Sequence, residues 1–287
     1  MAKAGVCIAA TLLLISALAM KAEAAASGKP ETVIVRNGSL ILRALLWRPQ
    51  GRGPFPAILL NHGTGRTGEE LARLGPYEGQ ADILGPVFAR HGYVFLFLFR
   101  RGVGLSADQG TSAIDLMNRE SAAHGQGARN ALQLRLLENR ELSDAEAGLT
   151  FLRGVPEVDA RKLALVGHSF GGSLTILQAE REPDLRAVVI FSGAGYSWDQ
   201  SPELRGRLLV AVGHLRAPVF FIHAANDYSL DPGKVLDARL ERQGKPHRLQ
   251  VYPPIGDTSE DGHEFLFLGE RIWGDGVFAF LDEHTRR

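Results

Sequence analysis

The residues best placed to do chemistry lie in one stretch, Gly167-His168-Ser169-Phe170-Gly171. An apolar run, Leu163-Ala164-Leu165-Val166, precedes it, and a helical pattern over 171–181 follows. A Gly-x-Ser-x-Gly between a strand and a helix puts the serine on a sharp turn and lifts its hydroxyl clear of the sheet. Such a turn leaves room for little beyond hydrogen at the flanking positions, which accounts for Gly167 and Gly171. The Phe170 amide then falls at a helix N-terminus, where unpaired N–H groups favour developing negative charge. The chemistry this suits is acyl transfer, with Ser169 as nucleophile and Phe170 N–H as an oxyanion donor. The plainer alternative is a strand-to-helix turn with a capping serine.

A serine nucleophile needs a base, and the base needs an orienting carboxylate. For a serine on this kind of turn the chain order is Ser, acid, His. The histidines after Ser169 are His214, His223, His247, His263 and His284. His223 ends an apolar run and is expected to pack there; His214, His247 and His284 close a helix, precede a strand and lie near the C-terminus. His263 stands in a polar, glycine-flanked loop between the last strand and the last helix, and is the expected base. Asp227, directly after the penultimate strand, is the expected acid, with Asp231, Asp257 and Asp261 as alternatives. Asn61-His62-Gly63-Thr64 follows the strand at 57–60 and offers a second oxyanion donor, the Thr64 N–H or, failing that, Gly63. His62 is read mainly as a brace for that loop. It and Tyr228 are the weak candidates for substrate contact, with Tyr77, Tyr196 and Trp198 as further aromatic possibilities. Arg100-Arg101 could bind a substrate carboxylate or, more in keeping with its loop position, brace the neighbouring loop.

These groups must be held by a scaffold, and the pattern says which. Apolar runs at 57–60, 93–99, 163–166, 187–191, 219–222 and 249–252 read as strands buried on both faces. Helical stretches alternate with them, around 83–90, 128–152, 171–181, 204–212, 235–243 and 265–283. The alternation predicts an α/β fold with a mostly parallel sheet covered by helices on both sides. Two β-rich runs, 32–36 and 40–47, flank Asn37-Gly38 and predict an antiparallel hairpin at one edge. The segment at about 108–142 exceeds what a connection needs and reads as a small helical insertion, with Ser143-Asp144-Ala145-Glu146 as a capping box restarting the helix. The other reading is one long kinked helix.

Several function classes drop out. The 32 basic and 32 acidic residues balance, which gives no footprint for nucleic acid. One cysteine excludes a disulfide framework or a multi-cysteine zinc site. The glycines at 63–68, 102 and 104 form neither a dinucleotide fingerprint nor a P-loop, and no His-Glu-x-x-His run suggests a metal. Neither cofactor nor metal is expected. Lys3, an apolar run at 6–20 and Ala22-Glu23-Ala24 read as a signal peptide over 1–24, removed on export to the periplasm or outside the cell. The mature part, 25–287, is expected to be one domain with no membrane attachment.

Taken together, His62-Gly63, Arg101-Gly102-Val103-Gly104-Leu105-Ser106, the stretch at 167–172, Asn226-Asp227 and Gly262-His263 resemble the α/β-hydrolase superfamily. Among its branches the chain is most similar to dienelactone-hydrolase-like and prolyl-oligopeptidase-like members, over roughly 32–283. The resemblance implies an α/β-hydrolase fold, and these positions supply, in order, the oxyanion loop, a structural loop, the nucleophile, the acid and the base. True dienelactone hydrolases use a cysteine where this chain has Ser169, so the expected substrate is a small carboxylic ester rather than dienelactone. A small serine peptidase or amidase, and a non-catalytic protein that kept the fold, are the competing readings.

Overall fold

The computed structural model describes residues 28–65 and 76–286. The expected signal segment, 1–24, lies outside the described residues. Eight strands form one sheet: β1 (Glu31–Asn37), β2 (Leu40–Trp47), β3 (Phe55–Asn61), β4 (Val94–Phe99), β5 (Val158–His168), β6 (Ala187–Phe191), β7 (Val219–Ala224) and β8 (His247–Tyr252). Their order is β1-β2-β4-β3-β5-β6-β7-β8. β1 and β2 pair antiparallel, β2 runs antiparallel to β4, and every other pairing is parallel. The mostly parallel sheet and the edge hairpin are therefore both as the pattern predicts.

The burial of each strand follows from its place. Every residue of β4, β6 and β7 is buried, because helices cover both faces, whereas edge strand β1 alternates exposed and buried residues. One face carries α1 (Tyr77–Arg90) and the C-terminal helices α8 (Phe265–Leu268) and α9 (Glu270–Thr285), packed over Phe95, Phe97, Val189 and Phe220. The other carries α3 (Leu142–Arg153), α4 (Phe170–Arg181), α5 (Pro202–His214) and α6 (Asp231–Arg242), over Leu59, Leu96, Leu165 and Val188. Each such fully buried side chain contributes about 1.5–3 kcal/mol relative to exposure. This double core makes the sheet a rigid platform.

Two local readings need correction. The hairpin turn is centred on Gly38-Ser39 rather than Asn37-Gly38, because Asn37 is still paired with Leu40; Gly38 alone has positive φ, 59°. The helix does not restart at Ser143 either. A 3-10 turn (Gly104–Gln109) leads to α2 (Ala113–Arg135), which is kinked at Gly125 and continues through a π-helical turn (Leu136–Glu141) into α3. Tertiary partners take the side chains that would have capped it: Asn37 Nδ2 donates to Ser143 Oγ at 2.9 Å and to Asp144 Oδ1 at 2.7 Å. The kinked-helix alternative is the one observed.

The sheet order also locates a crevice. From β3 the chain passes to β4 on one side and later to β5 on the other, and a reversal of this kind opens a cleft beyond the carboxyl ends of the strands. The carboxyl ends of β3 and β5 carry His62-Gly63-Thr64 and Ser169 respectively.

Candidate active site

At the end of β5 the chain turns so sharply that Ser169 adopts φ 56° and ψ −120° before α4 begins. The glycines around it are sterically required. A Cβ on Gly167 would lie 2.2 Å from Thr175 Oγ1, and one on Gly171 would lie 1.9 Å from the Asn61 carbonyl oxygen. The second contact is backbone, so Gly171 sets how closely α4 approaches the end of β3. Asn61 fastens the same junction, donating through Nδ2 to Thr175 Oγ1 and Gln178 Oε1, both at 2.9 Å.

The expected partners converge on Ser169. Its hydroxyl lies 2.8 Å from His263 Nε2, and His263 Nδ1 lies 2.8 Å from Asp227 Oδ1. An ionised carboxylate can only accept, so His263 carries its proton on Nδ1 and turns its Nε2 lone pair to the serine hydroxyl. β7 ends just before Asp227, and the short helix α7 (Ser259–His263) after β8 delivers His263. The two loops touch at Gly262, where a Cβ would come within 2.5 Å of the Asn226 backbone. Asp261, an alternative acid, is spent on a capping box with Thr258, and Asp231 opens α6.

Thr64 and Phe170 line the same cavity as Ser169 and His263, and a Cβ on Gly63 would sit 3.2 Å from Ser169 Cβ. The loop at His62-Gly63-Thr64 thus passes close to Ser169. Phe170 is the first residue of α4, so its N–H has no acceptor within the helix. Across the cavity stand Met117, Arg129 and Gln133 of α2. Helix α2 therefore lines the site, and it is pinned there. Asn130 Nδ2 donates to the Gln200 carbonyl at 2.6 Å, and Gln133 Nε2 to Ser197 Oγ at 3.0 Å.

His62 and the arginines do not face the cavity. The His62 ring is buried, stacked on Phe97 and edge-on to Tyr77, which corrects its place among the candidate substrate contacts: it braces the loop. Arg100 is also buried; its Nε donates to Glu141 at 2.8 Å and its Nη2 to the His62 carbonyl at 2.9 Å. Arg101 pairs with buried Asp144, Nε to Oδ2 at 2.9 Å. Both arginines are engaged in bracing, and the substrate-carboxylate reading falls. Tyr228 lies beside His263, its ring centroid 4.7 Å from that of His263 and 6.1 Å from that of Tyr196, which lines the cavity. Trp198 is core.

A model of the dienelactone hydrolase family matches residues 79–266. The chain belongs to the dienelactone hydrolase family. Its fold is the α/β-hydrolase fold. A Methylorubrum extorquens protein whose given name is carboxymethylenebutenolidase is 28% identical over 118 residues, a match that spans 40% of this chain and 40% of that relative's length. Among solved structures, a dienelactone hydrolase from Anabaena variabilis superposes with a TM-score of 0.58 at 19% identity, covering 90% of this chain and 99% of that one. An acylaminoacyl peptidase from Pyrococcus horikoshii superposes with a TM-score of 0.61 at 17% identity, covering 90% of this chain and 42% of that one. At these identities the superpositions speak for the fold.

Two histidines of this family member take part in ways their sequence positions did not announce. His168, read only as a variable position of the motif, donates through Nε2 to the His263 carbonyl at 2.9 Å, so the turn that carries Ser169 itself holds the segment that carries His263. His223, read as strand packing, is indeed buried, but its Nδ1 lies 2.7 Å from Asp227 Oδ2. The available signal was its spacing, four residues before the acid across a strand end. Burial pushes the Asp227 carboxyl up, yet hydrogen bonds from His223 and His263 and the charge of those rings outweigh it, and the acid lies well below its usual range.

Burial also holds His62 and His168 below the ordinary imidazole value, His62 strongly so because the Arg100 charge adds to it. A ring whose folded pKa is depressed takes up its proton first in the unfolded chain. The stability it contributes is then complete above about pH 6.5, the unfolded histidine value, and is lost as pH falls below it. We expect Tm to be flat from pH 8 to 7 and to drop between pH 6.5 and 5, each ring contributing at most about 1.4 kcal/mol per pH unit. Thermal melts across that range check this, and a Tm unchanged down to pH 5 contradicts it.

Proposed function

We propose that this protein is an exported serine esterase acting on small carboxylic esters. The observation that carries the reading is the unbroken relay from Asp227 Oδ1 through His263 to Ser169 Oγ, 2.8 Å at each step. In the first half-reaction Ser169 Oγ attacks the ester carbonyl as its proton passes to His263 Nε2. The Phe170 and Thr64 amides hold the oxyanion. Asp227 steadies the imidazolium, which then protonates the departing alkoxide. In the second half-reaction His263 takes a proton from water, the hydroxide displaces Ser169 from the acyl group, and the serine recovers its proton. Ester and water become acid and alcohol.

Export is supported by the 1–24 pattern of Lys3, the apolar run and Ala22-Glu23-Ala24. Among the described residues no helix is long and apolar enough to cross a membrane. In this reading 25–287 is one catalytic domain, and the segment at about 108–142 shapes the substrate cavity.

A fluorophosphonate probe incubated with the mature protein tests the chemistry. The expected result is one adduct, on Ser169, formed as the serine oxygen bonds to phosphorus and fluoride departs, together with cleavage of p-nitrophenyl acetate. Absence of both would leave a non-catalytic protein of this fold. Faster turnover of aminoacyl amides than of matched esters would make it a peptidase instead.

A further inference from the structure

We propose that His223 is a positioning residue for the reaction: its Nδ1–H anchors the second oxygen of the Asp227 carboxylate and so keeps the first oxygen aimed at His263. This rests on the serine-hydrolase reading above.

The argument begins with the acceptors Asp227 offers. Oδ1 accepts from His263 Nδ1 at 2.8 Å and from the Tyr228 backbone N–H at 2.7 Å. Oδ2 accepts from His223 Nδ1 at 2.7 Å. The Asp227 side chain has no solvent exposure and that of His223 has 1%. With one side of the carboxylate held by the base and the other by His223, the group cannot swing about χ2 without breaking a hydrogen bond inside the protein. Without His223, Oδ2 would be a buried acceptor with no donor. The carboxylate would then rotate to share its remaining donors or take up a proton itself, and in either case it would no longer stabilise the imidazolium that forms during turnover.

The surroundings show that the ring is fitted to this task. It lies at the end of β7, four residues before Asp227, so strand and turn fix the span between them. Helix α6 presents Gly233 to its far side, where a Cβ would stand 2.5 Å from His223 Nε2. A bulkier residue at 233 would push the ring towards the acid. The titratable groups at this carboxylate are His223 from the β7 end and His263 from α7, with His168 packed beside His263 from the nucleophile turn.

Amide side chains test which nitrogen matters. An asparagine amide nitrogen overlies histidine Nδ1, whereas a glutamine amide nitrogen overlies Nε2. His223→Asn should therefore keep kcat within about threefold, while His223→Gln and His223→Leu should lose about 10- to 100-fold, the usual cost of stranding a buried polar group. The loss should fall on kcat, with KM within about twofold. The acid limb of the kcat/KM profile should move to lower pH by half a unit or more, because an imidazolium that has lost its aligned counter-charge gives up its proton more readily. If the leucine variant fails to fold, the two amide variants still decide the matter. Folded glutamine and asparagine variants with equal kcat, or an unmoved acid limb in the glutamine variant, would overturn the proposal. A wild-type protein that neither labels with fluorophosphonate nor cleaves esters would instead remove the reading on which it rests.

Discussion

Ser169→Ala should lower kcat for p-nitrophenyl acetate by roughly a million-fold, to the level left by the oxyanion donors and substrate binding alone. Among the described residues no other hydroxyl is hydrogen-bonded to His263 Nε2. Ser173 lines the same cavity but lies one helical turn into α4, and His263 Nε2 is hydrogen-bonded to Ser169. The fold should survive the change, because the turn depends on Gly167, Gly171 and the Ser169 backbone, whose N–H donates to Phe191 and whose carbonyl accepts from Ser173. Alanine must keep the same φ of 56°, which serine already bears, so the strain does not change. The measurements are steady-state kinetics and circular dichroism on the same preparation. A folded alanine variant that retains more than about a hundredth of wild-type turnover would mean that the chemistry is done elsewhere.

Asp227→Asn should be the second largest effect, about ten-thousand-fold in kcat with KM little changed. The substitution is nearly isosteric, and geometry is not what is lost. An amide can turn its NH2 towards His263 Nδ1, and that stabilises the tautomer with its proton on Nε2, the wrong one for accepting from Ser169. The imidazolium that forms during turnover also loses its counter-charge in a buried site, where such a charge is least well replaced by water. His223 adds to the defect, since its own Nδ1–H would then compete for the single carbonyl oxygen that asparagine retains. A full kcat and kcat/KM comparison at pH 8 reads this directly. An asparagine variant within tenfold of wild type would show that Asp227 does not support the base.

The two cases differ in how visible they were beforehand. The Ser169 motif is local: strand, two glycines and helix lie within about a dozen residues, and short-range sterics dictate the turn. Strand runs were legible for the same reason, because strands buried on both faces must be apolar along their whole length. The failures were tertiary. Asn37 is more than a hundred positions from Ser143, so the apparent capping box at Ser143 could not reveal that a hairpin would claim it. Arg100 and Arg101 carried the right chemistry for binding a carboxylate, and only the packing of α3 and the π-helical turn against their loop supplied Glu141 and Asp144 as internal partners. His223 looked like packing and is packed, but a side chain's second face cannot be read from hydropathy.

By itself the sequence determined the order of elements, the nucleophile turn and the short list of acids and bases, since each depends on a pattern of neighbours along the chain. The tertiary structure alone decided which candidates meet. Parallel pairing of β3, β5, β6, β7 and β8 brings their carboxyl ends to one rim. Hydrogen-bond distances of 2.7–2.8 Å then sort His263 and Asp227 into the relay, put His223 behind the acid and leave His62 beneath the loop. Such bonds require placement to a few tenths of an ångström across residues up to 94 positions apart, a precision set by the packed core and not by any local stretch of chain.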